Sequence, residues 1–291
     1  MTAININRNL ELKMNRIGFI QGRLSPLVND CIQAFPWSSW QDEFKIAEEN
    51  NFKLMEWTLD QNKLYENPLL TPDGQSEISI LCESYNLSIP SLTGDCFMQA
   101  PFWKAEGDEQ QNLQKDFQAI AVACATVGIS MIVVPLVDNG RLDNSAQEDV
   151  LVEYLESQES FLDKHNLQVV FESDFNASEL ARFIDRLNPS LFGINYDIGN
   201  SAALGFDPSE EIDAYGNRII NVHVKDRVLG GTTVPLGTGN ADFETVFAKL
   251  NRIGYTGNYI LQTARATDDN HSRILSEFGK MTVSWIEHCG V

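Results

Sequence analysis

Several things this chain lacks narrow what it can be. No hydrophobic run approaches the ~20 residues needed to span a bilayer, so no membrane partner is expected. Positive charge is scarce: 21 Lys+Arg stand against 41 Asp+Glu, a net of −20. Such a field repels polyanions and offers no basic stripe, which disfavours DNA or RNA as a partner. Cys-x-x-Cys is absent. The five cysteines, Cys31, Cys82, Cys96, Cys124 and Cys289, are odd in number and widely spaced. They read as reduced, mostly buried thiols of a cytoplasmic protein rather than a disulfide framework. Residues Met1 to Lys13 alternate Asn, Ile, Arg and Leu without the apolar block of a secretory signal. They read as an N-terminal extension, with disorder among the expectations, and the folded part is expected over 14–291. No Gly-x-Gly-x-x-Gly follows the first strand-like run, which removes the main support for a dinucleotide-binding fold.

What is present is an unbroken alternation. In 291 residues at 43% hydrophobic content there is material for one large core. Eight short apolar runs read as strands: Arg16–Gln21, Lys53–Trp57, Leu87–Leu92, Met131–Val134, Leu167–Glu172, then the runs ending at Asp197, His223 and Gln262. Each is followed by apolar residues at helical spacing, such as Leu113, Phe117, Ile120, Ala121 and Cys124. Ser38 and Ser39, ahead of Gln41 and Asp42, suggest a helix cap, and Pro135 is expected to end the fourth strand. Strict βα alternation requires a parallel sheet covered by helices, and eight units at this length favour an α/β fold closed as a single (β/α)8 TIM barrel. Long rim loops are expected after Leu59, Gly94 and Val137.

The last four runs each deliver a metal-competent side chain near their C-terminal ends: Glu172, Asp197, His223 and Gln262. In parallel α/β barrels that rim is where sites are built. Taken singly, a Glu at a strand end is usually solvated and a lone His in an apolar strand is usually a core histidine. Four donors on consecutive strands at one rim outweigh those explanations. An oxygen-rich set with one imidazole suits one divalent metal ion, manganese or magnesium first, zinc or cobalt next.

These residues also carry a family resemblance. Ile17-Gly18-Phe19-Ile20-Gln21-Gly22-Arg23-Leu24-Ser25, Tyr196-Asp197-Ile198-Gly199-Asn200-Ser201, His223-Val224-Lys225-Asp226-Arg227 and Leu236-Gly237-Thr238-Gly239-Asn240-Ala241-Asp242-Phe243 resemble motifs of the xylose-isomerase-like barrel superfamily of sugar and sugar-phosphate isomerases and epimerases. The first is similar to the opening strand of its hexulose- and ribulose-phosphate members. The resemblance implies a metal held by Glu172, Asp197, His223 and Gln262, a small carbohydrate or sugar-phosphate substrate, and proton transfer through an enediolate with Glu172 as base. Lys225 and Arg227 would neutralise developing charge, as would Arg23 and Arg265. Gln21, Glu56, Asp95 and Asn200 complete the polar groups expected around a substrate.

This chain departs from the pattern at three places. Gln262 stands where the family usually has Glu, Asn200 where some epimerases have His, and Thr93-Gly94-Asp95 where a His often lies on strand three. An amide oxygen can ligate but cannot take up a proton. The expectation therefore leans to an aldose–ketose isomerase working with one base, with Asp95, Glu56 or Lys225 as substitutes for a second group. A lyase or dehydratase on a polyol or keto-acid and a catalytically silent sugar-binding barrel stay open. The superfamily's endonuclease branch is disfavoured, because four histidines are too few for a three-metal cluster. Trp37, Trp40, Trp57, Phe97, Phe102 and Trp103 lie in or beside the rim loops, open to roles in packing, sugar stacking or a homo-oligomer interface.

Overall fold

The structure, a computed structural model, describes residues 15–289; the extension expected over residues 1–13 lies outside them. The chain begins with β1 (Ile17–Ile20), α1 (Asp42–Glu49), β2 (Leu54–Thr58), α2 (Pro72–Ser84) and β3 (Ser88–Thr93). Next come α3 (Asp95–Gln99), α4 (Gly107–Val127), β4 (Met131–Leu136), α5 (Ser145–Lys164), β5 (Gln168–Ser173) and α6 (Ala177–Ile184). After β6 (Phe192–Asp197) follow α7 (Ile198–Leu204), α8 (Pro208–Tyr215) and β7 (Ile219–Val224). The chain ends with the short pair β8 (Asp226–Arg227) and β9 (Thr233–Val234), then α9 (Phe243–Arg252), β10 (Asn258–Leu261) and α10 (His271–His288).

All strands except β8 and β9 join one closed parallel barrel in the order β1-β10-β7-β6-β5-β4-β3-β2. Closure runs through pairs such as Ile17 with Tyr259 on one side of β1 and Gly18 with Leu54 on the other. This is the (β/α)8 barrel that the alternation predicts. Parallel order sends every strand's C-terminal end to one rim, so residues distant in sequence meet there. Outside the ring, Phe171 of β5 packs edge-on against Phe183 of α6 at 5.2 Å, and Phe243 of α9 stacks on Trp285 of α10 at 4.2 Å. Inside it, Met131, Val133 and Val170 form a separate apolar cluster with Ile220 packed against it. Gly193 makes room there, since a Cβ on it would lie 2.2 Å from Ile220 Cδ1.

Some local expectations change. Pro135 lies inside β4, not at its end. Pairing with β3 stops at Thr93–Val133, while pairing with β5 continues to Leu136–Ser173. The Val133 carbonyl accepts from Gly94 N–H, and Pro135, two residues on, faces the same way beyond that ladder, so its missing N–H breaks no bond. Ser39 does not cap α1; its hydroxyl donates to Ser25 Oγ at 2.9 Å. Trp40, Trp57, Phe97, Phe102 and Trp103 are all buried in the core, so packing takes them. All five cysteines are free, with Cys96 and Cys124 buried and Cys31 exposed. Among the described residues no helix is long and apolar enough to cross a membrane.

One buried charge ties α1 to the rim. Glu43 is fully buried and accepts from the Gly22 N–H at 2.9 Å and the Leu24 N–H at 2.9 Å, holding the turn after β1, where Gly22 takes φ +91°. Burial outweighs those two bonds and pushes the carboxyl up to about 7. A carboxyl with a raised folded pKa binds more protons folded than unfolded, so its contribution is favourable below pH 4.5 and is lost as pH rises to about 7. Glu43→Gln keeps an oxygen for both N–H groups and removes the titration. The variant should gain on the order of 1 kcal/mol over the parent at pH 8 relative to pH 5. Urea unfolding at both pH values measures it, and an equal difference at both would contradict the account.

Candidate active site at the C-terminal rim

Three side chains expected to ligate a metal meet at the rim. Glu172 is the penultimate residue of β5, Asp197 the last of β6, and His223 lies in β7. Each offers a ligating atom within 4.8 Å of the others, and all three residues are buried. Asp197 divides its oxygens: Oδ1 caps α7 by accepting from Asn200 N–H at 2.8 Å, which leaves Oδ2 for the cluster. His223 Nδ1 lies 3.1 Å from Glu172 Oε2 and 3.9 Å from Asp197 Oδ2, yet without hydrogen-bond alignment to either. That orphaned nitrogen, aimed between two carboxylates, is the geometry a divalent cation satisfies.

Gln262 follows β10 and reaches the cluster through Lys225. The Lys225 ammonium donates to Gln262 Oε1 at 3.1 Å, Asn200 Oδ1 at 3.1 Å and Asp197 Oδ2 at 3.2 Å. Its stem is held by Gly199 of α7, where a Cβ would come 2.6 Å from Lys225 Cγ. Burial raises Glu172, but the His223 ring 3.1 Å away and the charge of Lys225 bring it below the usual carboxylate value. For Asp197 burial wins, and its carboxyl lies above the usual value despite Lys225.

Beneath the cluster is a buried polar layer. His223 Nε2 faces Glu56 Oε1 at 2.8 Å. Burial disfavours charge on the ring, but the Glu56 carboxylate and Glu172 outweigh it and raise the imidazole to about 10. Ser91 Oγ donates to Glu56 Oε2 at 2.6 Å, and Asn221 Nδ2 donates to it at 3.1 Å. Asn221 also donates to Asn195 Oδ1, and Asn195 Nδ2 donates to Glu172 Oε2 at 3.1 Å. Asn200 Nδ2 holds the other Glu172 oxygen at 2.6 Å. Asn195, Asn221, Ser91 and Gln33 are absent from the sequence reading. The first two carry a signal: Asn195-x-Asp197 and Asn221-x-His223 put each asparagine on the same strand face as a ligand candidate.

Above the cluster opens a cavity of about 530 Å³ whose lining includes Glu172, Gln262, Lys225, Arg227, Asn200 and Asp95. Gln33, Asp138 and Asp174 also line it. Burial pushes the Asp95 carboxyl up to about 7, with Asp60 and Glu172 nearby adding to the shift. Arg227 donates to Asn200 Oδ1 and to the Gly231 carbonyl. The other expected substrate contacts lie elsewhere. Gln21 is buried and accepts from Thr58 N–H. Arg23 donates to the carbonyls of Thr263 and Ile32, and Arg265 to those of Ser25 and Ile32. Glu56 sits behind His223. None of these four lines the cavity.

Comparison with known proteins bears on the fold and the family. The chain resembles L-ribulose-5-phosphate 3-epimerase UlaE of Salmonella paratyphi C, 40% identical over 85 residues, which is 29% of this chain and 30% of that protein. The matched stretch is under a third of the curated relative's length. Among solved structures, a zinc-binding IOLI protein superposes with a TM-score of 0.73 at 14% identity, covering 94% of this chain and 98% of the other. The D-psicose 3-epimerase of Clostridium cellulolyticum H10 superposes with a TM-score of 0.70 at 11% identity over 94% of this chain and 99% of its own. At those identities the superpositions speak for the fold. The family model described as xylose isomerase-like TIM barrel matches residues 44–279, well over half of the sequence, and the chain belongs to that family.

Proposed function

We propose that this protein is a divalent-metal-dependent sugar isomerase or epimerase that takes a proton from the carbon beside a ketose carbonyl to form an enediolate and returns it, to the neighbouring carbon in an isomerase or to the opposite face of the same carbon in an epimerase. The observation that carries the reading is the buried Glu172–Asp197–His223 triad with its orphaned imidazole nitrogen. Those three residues, with Gln262 Oε1, would hold one ion, manganese or magnesium for an oxygen-rich set, with zinc or cobalt also accepted. The ion supplies polarisation of a carbonyl and charge stabilisation for the enediolate. Glu172, held by Asn195 and Asn200 at the cavity wall, takes the proton. Lys225 and Arg227 place positive charge beside the developing oxyanion.

With an amide at 262, Glu172 is the only carboxylate of the cluster that also lines the cavity. A single base on one face suits a 1,2-shift better than an inversion, so the reading leans to aldose–ketose isomerisation. Asp95 is the cavity group placed to act second.

The lining also favours an unphosphorylated sugar. Asp95, Asp138, Glu172 and Asp174 face only Lys225 and Arg227, and Arg23 and Arg265, outside the lining, direct their donors mainly at the carbonyls of Ser25, Ile32 and Thr263. A phosphate dianion there meets few unengaged cations. A free ketose should be turned over with kcat/KM at least about tenfold above its phosphate ester; the opposite order would overturn this part.

Three measurements test the reading. Titration calorimetry with Mn²⁺ should show one ion per chain, lost in His223→Ala. No binding of Mn²⁺, Mg²⁺, Co²⁺ or Zn²⁺ would leave a sugar-binding barrel instead. Solvent deuterium exchange into a ketose should fall by about 10²-fold or more in Glu172→Gln. Glu56→Gln should weaken Mn²⁺ by about tenfold through the lost hold on His223, with turnover recovered at higher Mn²⁺.

A further inference from the structure

Gln262 raises a problem that a glutamate would not. A carboxylate presents oxygen whichever way it turns, whereas an amide has one end that ligates and one that repels a cation. Something must set which end faces the cluster.

The structure contains a chain of contacts that does so. Gln262 Nε2 donates to Gln33 Oε1 at 2.8 Å, which turns Gln262 Oε1 toward the ammonium it shares with Asp197. Gln33 is an amide as well, and its own orientation is fixed from both ends. Its Nε2 donates to Asp95 Oδ2 at 2.7 Å, and its Oε1 also faces Arg23 Nη2 at 3.5 Å. Reversed, Gln33 would set its NH₂ against the donors of Arg23 and Gln262, and its oxygen against Asp95. The backbone of this segment is tied down too, because the Ile32 carbonyl accepts from Arg23 at 2.7 Å and from Arg265 at 3.3 Å. A cation on one side and a carboxylate on the other therefore orient Gln33, and Gln33 orients Gln262.

We infer that Gln33, locked between Arg23 and Asp95, is a positioning residue that keeps the Gln262 amide oxygen turned toward the cation site. It rests on the metal reading above, and it gives Arg23 a role in polarity rather than in direct substrate contact and adds such a role to Asp95 on the cavity wall. The device compensates for the amide at 262 and is needed only while that residue is an amide.

The test is a double-mutant cycle read by Mn²⁺ calorimetry on the full chain. Gln33→Met removes both hydrogen bonds at similar volume and should weaken Mn²⁺ by about tenfold. In a Gln262→Glu background the same change should cause no weakening, because either oxygen of the new carboxylate ligates. Gln33→Glu combined with Asp95→Asn, which still accepts from Gln262 and gains a donor at position 95, should bind at least as tightly as the parent. Thermal melting of each variant reports folding independently of the ion. Equal weakening by Gln33→Met in both backgrounds, or none in either, would overturn the inference while leaving the metal reading intact. Absence of Mn²⁺ binding by the parent would overturn both.

Discussion

Charge taken out of water is the constraint on which this rim is built. Glu56, Glu172, Asp197 and His223 are each buried to within a few per cent, and Lys225 lies among them. An isolated ion in such a place would be strongly disfavoured, so each must find an opposite charge or a set of hydrogen bonds. Here both devices operate. His223 stands between Glu56 and Glu172, Lys225 faces Asp197, and Ser91, Asn195, Asn200 and Asn221 fill the remaining carboxylate positions. A parallel barrel can supply this because each strand end contributes a side chain to one ring, with the backbone already bonded to its neighbours.

Much of that was legible in the sequence. The strands ending at Glu172, Asp197 and His223 were readable because an apolar run that stops at a polar residue marks a rim, and the alternation placed all three on the same rim. Glu56 was read as a group at the mouth, yet it lies behind His223. The register of β2 shifts between Leu54 and Glu56, and an irregularity of that kind leaves no trace in a hydrophobic pattern. Arg23 and Arg265 were read by charge alone. What they touch is mainly backbone carbonyls, and a carbonyl has no sequence signature.

Gln33 was illegible for a further reason. It sits in an irregular segment with no periodicity, and its place depends on partners at positions 23, 95, 262 and 265. Contacts that span the chain in this way appear only once the barrel closes. The same holds for α3 and α7, which are too short for an apolar stripe: Asp197 caps α7, whereas Gly94 at the start of α3 offers no side-chain cap.

Asp197 is asked to end a strand, start a helix and face the cluster with a single short side chain. Aspartate meets all three demands because its carboxylate stands one carbon from the backbone, close enough to accept the N–H of Asn200. Glutamate would carry the same charge but set both oxygens farther out, giving up either the first turn of α7 or the alignment of Oδ2. Chemical similarity between the two acids therefore counts for little at this position: the local geometry makes it the least exchangeable carboxylate of the rim.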